Sequence, residues 1–451
     1  MFEKFKIKWN IYSNWQLTII FIVFSVTGSA AMVVRKFVFE LIGITSDTSL
    51  WIKVPLYILI LIPAYQILLI VVGTIFGQYR FFYEFQKKSI GRFYRRTKTE
   101  DNTNKQEVTM NNSVKNNETA VLLLNLGTPD EPTVKAVRRY LFQFFNDKRV
   151  IDLPWLFRKI LVNFIIVPFR APKSAKLYQQ LWTKEGSPLL INTVELKNKL
   201  QEKLEDKASV FMAMRYQNPS IRATLNSIRK EGYSKIILLP LFPHYASSTT
   251  SSAIETVWDE IRGWNVIPSV HIINQFYDHP GFLDAFAQRI SSYNLDDYDF
   301  VLFSYHGLPT RHTDKIHPKI STASCNCDEV MPEHGKFCYR ATCYETTRLL
   351  TQRLGLSKER YSTSFQSRLS NYWLKPFTDA TLAELPLKGI KRVLVVAPAF
   401  VADCLETIVE IDFEYKELFV ANGGEKLTMV ESLNADDRWV DAVKDMVSGY
   451  I

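Results

Sequence analysis

In the stretch DCLETIVEIDFEY, glutamates recur every four residues, at Glu406, Glu410 and Glu414. On a helix that spacing stacks side chains one above another, and like charges so placed repel by roughly 0.2–0.5 kcal/mol per pair. A solvated face tolerates that cost. A site that handles cations or protons makes use of it, because a nearby cation stabilises ionised carboxylates. In DFVLFSYHGLP, His306 precedes Gly307 and Pro309, which force a turn. Its near-neutral pKa suits proton transfer at physiological pH, and the glycine lets a ligand approach the backbone. The plain alternative is a hydrogen-bonded structural histidine. Imidazole and carboxylate together suit a borderline divalent ion such as iron. Four cysteines, Cys325, Cys327, Cys338 and Cys343, follow the pattern C-x-C-x10-C-x4-C. Thiolates that close satisfy either a [2Fe-2S] cluster or a tetrahedral zinc ion.

His306 follows the largely apolar run FVLFSY, and the acidic row follows the fully apolar run VLVV. Such runs read as strands buried on both faces, and in open α/β sheets ligands bind beyond the carboxyl ends of the strands. Similar runs, AVLLLNLG, VFMAMRY, KIILLPLF and VHIINQF, alternate with helical stretches such as VELKNKLQEKLED and AFAQRISSYN. That alternation implies right-handed crossovers and parallel sheets. The residues from 119 to 451 exceed one such sheet, so two lobes with a cleft between them are expected. Pro240-Leu241-Phe242 and Pro398-Ala399-Phe400 each lead to a Glu-Thr pair, Glu255-Thr256 and Glu406-Thr407, a hint of duplication. Tyr216, Tyr245 and Trp373 sit beside Pro, Arg or Asn in apparent loops, as the wall of a site for a flat apolar ligand would require.

The chain has 451 residues, 47% of them hydrophobic, with a net charge of +9. Residues 1–98 hold 13 Lys and Arg against 4 Asp and Glu, which accounts for the whole excess. The remainder is balanced, so the footprint of a nucleic-acid binder is missing. Trp9–Val34 and Val54–Tyr79 are uncharged and long enough to cross ~30 Å of hydrocarbon. A signal peptide is the alternative for the first, but its run exceeds the usual apolar core and a second span follows. Lys4, Lys6 and Lys8 precede the first stretch and a basic cluster from Arg80 to Lys98 follows the second. By the positive-inside rule both ends face the cytoplasm. The expected organisation is a transmembrane helical hairpin (1–98), a polar tether rich in Asn and Thr (99–118) and a soluble unit (119–451). That places the soluble unit on the cytoplasmic face of the inner (plasma) membrane.

From about Thr119 to Ile451 the chain resembles the ferrochelatases, which insert ferrous iron into a porphyrin at the last step of haem synthesis. The motifs LLLNLGTPDEP, SAKLYQQLWTKEGSPL, LPLFPHYASSTTSS, FSYHGLP, FQSRLSNYWLKP and PAFVADCLETIVEIDFEY occur in family order. The resemblance implies a chelatase fold of two Rossmann-like lobes with porphyrin in the cleft. It assigns His306 to pyrrole protons or iron, and Glu406 to the opposite face of the macrocycle. Glu410 and Glu414 match an acidic row on a helix with a π-type turn, which would pass cations inward or protons outward. Leu126, Arg215, Tyr216, Tyr245 and Trp373 become the porphyrin contacts. Leu126 stands where relatives acting on coproporphyrin tend to have Tyr, which favours protoporphyrin IX. Cys404 stands where the animal enzymes have His, and Ser370 where Gly is usual. Some bacterial members carry a [2Fe-2S] cluster on a cysteine-rich insert, which favours the cluster over zinc for the four cysteines. A haem- or metal-binding module without catalysis, and a chelatase for cobalt or nickel, are the competing readings.

Overall fold

The computed structural model describes residues 14–41, 50–78, 81–83, 118–317 and 319–451. The chain divides into two compact units, Met1–Asn111 and Asn112–Ile451.

In the first unit, helices Asn14–Leu41 and Leu50–Ile75 pack through Ile20, Val23 and Leu69, and Phe82, beyond the second helix, joins the same cluster. By length and composition, Thr18–Phe39 is the one described helical segment able to cross a membrane, and Ala64–Ile75 is a shorter apolar stretch. Among the described residues one span thus meets that length, and the second expected span, Val54–Tyr79, is matched there by the shorter stretch Ala64–Ile75. The start of the first expected span, Tyr79 and the tether up to residue 117 lie outside the described residues.

The second unit is built on two four-stranded sheets. One holds β1 (Thr119–Gly127), β2 (Ser209–Tyr216), β3 (Lys235–Pro240) and β4 (Ser269–Ile272) in the order β2-β1-β3-β4. The other holds β5 (Phe300–His306), β6 (Tyr361–Gln366), β7 (Arg392–Val396) and β8 (Lys426–Met429) in the order β6-β5-β7-β8. Every pairing is parallel, and the two sheets repeat one topology, which bears out the expected two-lobed α/β architecture. Ala120–Leu124 on β1 and Val301–Phe303 on β5 are fully buried, because helices cover both faces of each sheet. Those helices present apolar stripes. Val134–Phe145 buries Ala136, Val137, Tyr140, Leu141 and Phe145, and Thr133 caps it by accepting from the Ala136 amide at 3.2 Å. Val121 and Leu123 of the first lobe share a continuous core with Val301, Phe303 and Leu394 of the second, so the lobes fold against each other.

In each sheet the strand order reverses between the first strand and its third-strand neighbour, although the strands run parallel. That places a crevice at the carboxyl ends of β1 and β3, and another at β5 and β7.

Candidate active site

Both crevices open into one cavity of about 650 Å3. Leu126, Phe144 and Leu177 line it from the first lobe, and His306, Trp373 and Glu406 from the second. The described residues include three π-helical segments, Leu161–Ile166, Ser247–Ser251 and Leu405–Tyr415, and each contributes to the wall. Wide i→i+5 turns of this kind often mark functional sites.

His306 is the last residue of β5, paired in register with Gln366. Its Nδ1 lies 2.6 Å from the Gly307 carbonyl oxygen, and its own carbonyl accepts from the Tyr339 hydroxyl at 2.9 Å. A carbonyl only accepts, so Nδ1 carries a proton, and the tautomer this selects has its lone pair on Nε2. Trp373 and Phe400 flank the ring at 6.3 Å each. Gly307 is required for a reason the sequence did not reveal. A Cβ there would lie 2.7 Å from the Gln366 carbonyl and 3.2 Å from the Trp373 ring. The close approach is by the protein's own backbone rather than by a ligand. Gly127, equivalent at the end of β1, has φ +108° and would meet the Tyr216 carbonyl.

The acidic row rides on the π-helix Leu405–Tyr415. Asp403 fixes its start: its carboxylate accepts from Thr407 Oγ1 at 3.1 Å, the Ser432 amide at 3.2 Å and Asn434 Nδ2 at 2.7 Å. The D-x-x-E-T spacing therefore serves to anchor the helix and leave Glu406 facing the cavity. Cys404, a departure from the family, caps the helix; its amide donates to Thr407 Oγ1 at 3.0 Å. Ser370 is exposed, and its hydroxyl accepts from the Tyr372 amide at 3.3 Å. Glu406, Glu410 and Glu414 all line the cavity, the first two half-buried and the last exposed. Partial burial, then the charges of Glu410 and Glu417, push the Glu414 carboxyl upward. Among the described residues, no three His, Cys, Asp or Glu side chains are grouped to hold a metal ion. His306 and the three acids are thus strung out rather than gathered into a chelate.

Of the five residues expected to grip a flat ligand, Leu126 and Trp373 line the cavity. Arg215, Tyr216 and Tyr245 are not among the lining residues. Tyr216 is 1% exposed, and its hydroxyl donates to Asp147 Oδ2 at 2.9 Å. Arg215 donates to the same carboxylate at 2.7 Å and to Ser252 Oγ at 2.7 Å. Burial alone would raise the Asp147 carboxyl, but hydrogen bonds from Ser252 and the Arg149 amide, with the Arg215 charge, hold it low. This buried network supports the wall from behind: the Tyr216 ring meets the lining residue Phe144 edge-on at 5.3 Å. The Tyr245 hydroxyl bonds Ser251 Oγ at 2.7 Å and its ring faces Phe337. Sequence reasoning missed His244, Arg170 and Arg368, which do line the cavity. Arg170, which ends the apolar stretch FIIVPF, was an available signal; Arg368 lies among polar residues and carried none.

Apart from this cavity, all four insert cysteines are free and buried. Cys325, Cys327 and Cys338 form one small cluster with Ala341, while Cys343 belongs to the main core. The closest partners are mixed: Cys338 Sγ to His317 Nε2 at 3.3 Å, Cys325 Sγ to His334 Nε2 at 3.6 Å, and Arg340 to Cys327 Sγ at 2.9 Å. Burial pushes the Cys327 thiol up to about 12 and raises those of Cys338 and Cys343.

Residues 118–450 match the ferrochelatase family model, and residues 19–97 match a family of unknown function. A ferrochelatase of Coxiella burnetii (strain Dugway 5J108-111) is 44% identical over 336 residues, covering 73% of this chain and 93% of that protein. One of Legionella pneumophila (strain Paris) is 44% identical over 339 residues, covering 73% and 99%. A looser likeness, at TM-score 0.43 and 11% identity over 73% of this chain and 94% of the other, is to SirB from Bacillus subtilis. The chain belongs to the ferrochelatase family, and the reaction it performs is the insertion of iron into a porphyrin for haem synthesis.

Proposed function

We propose that the cavity seats protoporphyrin IX, with His306 on one face of the macrocycle and Glu406 on the other. The observation that carries this reading is the convergence of His306, Trp373, Leu126 and the three acids on a single cavity. Pyrrole protons lie in the ring plane and iron cannot enter until the ring buckles, so a site that fits the distorted ring best lowers the barrier. His306 offers an Nε2 lone pair to a pyrrole proton while the Gly307 carbonyl fixes its tautomer. Exchanging Fe2+ for two protons is neutral overall, and the row from Glu406 to Glu414 runs from half-buried to exposed, as a path between cavity and solvent needs. The raised Glu414 carboxyl suits a group that takes up protons at the outer end. Leu126 supports protoporphyrin IX over more carboxylated rings. The test is anaerobic turnover of the purified protein with ferrous iron and either protoporphyrin IX or coproporphyrin. Faster haem formation from protoporphyrin is expected, and the reverse order overturns the substrate assignment.

Delivery from a membrane fits the same site. Trp155, Phe157, Phe164 and Phe169 are each more than half exposed on the helical run Trp155–Leu181, whose inner residues Ile166 and Leu177 line the cavity. An exposed apolar surface of this kind is a membrane or partner face. With the apolar helix Thr18–Phe39, it supports a chain held at the cytoplasmic face of the inner membrane; the second of the two proposed N-terminal spans rests on the uncharged stretch Val54–Tyr79.

For the insert, Cys325, Cys327, Cys338 and Cys343 are the residues that would hold a [2Fe-2S] cluster, with zinc as the second reading. Four free, buried thiols with no disulfide partner fit either group in donor type and number, and Arg340 would offset the charge of the thiolates. Metal binding would have to displace their protons and draw the sulfurs together, since they are not grouped as a ligand set now. Such a cluster supplies one-electron chemistry.

A further inference from the structure

Glu410 is held by four donors. Its Oε1 accepts from the Ser367 amide at 2.7 Å and from the Tyr415 hydroxyl at 2.7 Å. Its Oε2 accepts from Ser367 Oγ at 2.5 Å and more weakly from Gln366 Nε2 at 3.4 Å. A carboxylate has about four acceptor positions, so this one is filled. Ser367 meets the acid with both its groups because its backbone lies in the left-handed region, φ +61°, an uncommon conformation for a residue with a side chain. Gln366 is fixed in turn: its Oε1 accepts from Ser304 Oγ at 2.8 Å, and its Nε2 donates to the Glu406 carbonyl at 3.0 Å. Ser304 lies two residues before His306 on β5. One chain of bonds therefore joins the strand of the proposed base to the helix of the acids.

We propose that Ser367 and Tyr415 are positioning residues that lock Glu410 as a stationary negative charge on the iron path. Glu410 attracts ferrous iron through its field and does not turn to become an inner ligand. The inference rests on the acidic row being that path. Strain at position 367 is the structural signature: a residue kept in an unfavourable conformation so that two donors converge on one acid.

The test varies ferrous iron at saturating porphyrin with the full-length protein and its Ser367→Gly, Tyr415→Phe and Glu410→Gln variants. Glycine accepts the positive φ and keeps the amide, so only the hydroxyl is lost. Each single clamp variant should raise the iron KM five- to tenfold with a much smaller change in kcat, and porphyrin binding by fluorescence should not move. The double variant Ser367→Gly with Glu410→Gln should be no worse than Glu410→Gln alone. An unchanged iron KM in both clamp variants, with Glu410→Gln raising it, overturns the clamp while leaving the path. An unchanged KM in Glu410→Gln overturns the path itself, and the clamp with it. Full additivity in the double variant also refutes the clamp.

Discussion

His244, just beyond β3, should make the fold acid-sensitive by an amount the structure sets. The side chain is buried, and its Nε2 lies 2.9 Å from Thr346 Oγ1. The Thr346 hydroxyl already donates to the Tyr277 carbonyl at 3.0 Å, so it accepts from the imidazole. Nδ1 is left bare, with no hydrogen-bond partner among the described residues, between the rings of Tyr305 at 5.2 Å and Tyr339 at 5.9 Å. A proton arriving there would be a buried charge without an acceptor, and burial accordingly pushes the pKa from 6.5 down to about 3. The folded value lies below the unfolded one, so the unfolded chain takes up the proton first as pH falls. Stability from this residue is present in full above about pH 6.5 and is lost as pH descends toward 3. One pKa unit corresponds to about 1.4 kcal/mol, which gives a loss of about 2 kcal/mol by pH 5. Urea unfolding of the full-length protein in nonionic detergent at pH 7 and pH 5 measures it. His244→Gln keeps a donor for Thr346 but does not titrate, so it should lose about 2 kcal/mol less than the parent between the two pH values. Equal losses would refute the reasoning. The same argument keeps His244 neutral throughout the working range, so it does not compete with His306 for pyrrole protons despite lining the same cavity.

Glu406→Gln should remove most turnover and Glu414→Gln much less, because Glu414 sits at the exposed outer end; equal losses in steady-state rate would count against a directional path. Tyr216→Phe should cost about 1 kcal/mol of stability by deleting the bond to Asp147, with the porphyrin KM unchanged, whereas a weakened KM would return Tyr216 to the cavity wall. Protein purified without oxygen should hold about two non-haem irons per chain, lost together with the visible colour in Cys327→Ser; one zinc in colourless protein would decide for the other reading. Deleting residues 1–118 should leave kcat similar while raising the apparent KM for porphyrin dissolved in liposomes, since anchoring raises effective concentration. Loss of all turnover on deletion would instead make the N-terminal unit part of the catalytic fold.

The sequence announced six of the eight strands as apolar runs, and the two it hid were hidden for physical reasons. β6 reads Tyr-Ser-Thr-Ser-Phe-Gln, with no run to notice. Its polar side chains are buried because they satisfy one another across the fold: Ser364 with Thr378 at 2.9 Å, and Thr363 with Thr347 at 3.1 Å. Such partners come from distant segments, and no local pattern encodes them. β8 reads Lys-Leu-Thr-Met, polar at two of its four residues, so no apolar run marks it. His306 and Glu406 were legible because their strands end in a turn-forming glycine or proline, and a parallel sheet delivers the residues after each strand to the crevice. Arg215, Tyr216 and Tyr245 were expected on the wall because an aromatic or arginine beside a turn looks the same in sequence whether it faces a ligand or turns inward; here Arg215 and Tyr216 bond Asp147, and Tyr245 bonds Ser251. Asp147, the residue that draws two of them inward, sits 68 and 69 positions away in the chain.

The repeated topology sharpens what is particular to the catalytic half. Both sheets share one strand order, both first strands carry a glycine at or just past their end that is pressed against a neighbouring strand's carbonyl, and both third strands lead through π-helical turns. The hinted counterpart of Glu406 in the first lobe is Glu255, and there the carboxylate is consumed by Lys148 at 2.5 Å and Arg149 at 2.6 Å. Glu406 has no such cation beside it among the ion pairs of the described residues, and it faces the cavity. The same scaffold therefore neutralises its acid in one lobe, where Tyr216 and Arg215 support a wall, and leaves it available in the other. An arginine introduced opposite Glu406, as Arg149 stands opposite Glu255, should convert the second lobe into a copy of the first and abolish iron insertion while the cavity still accepts porphyrin.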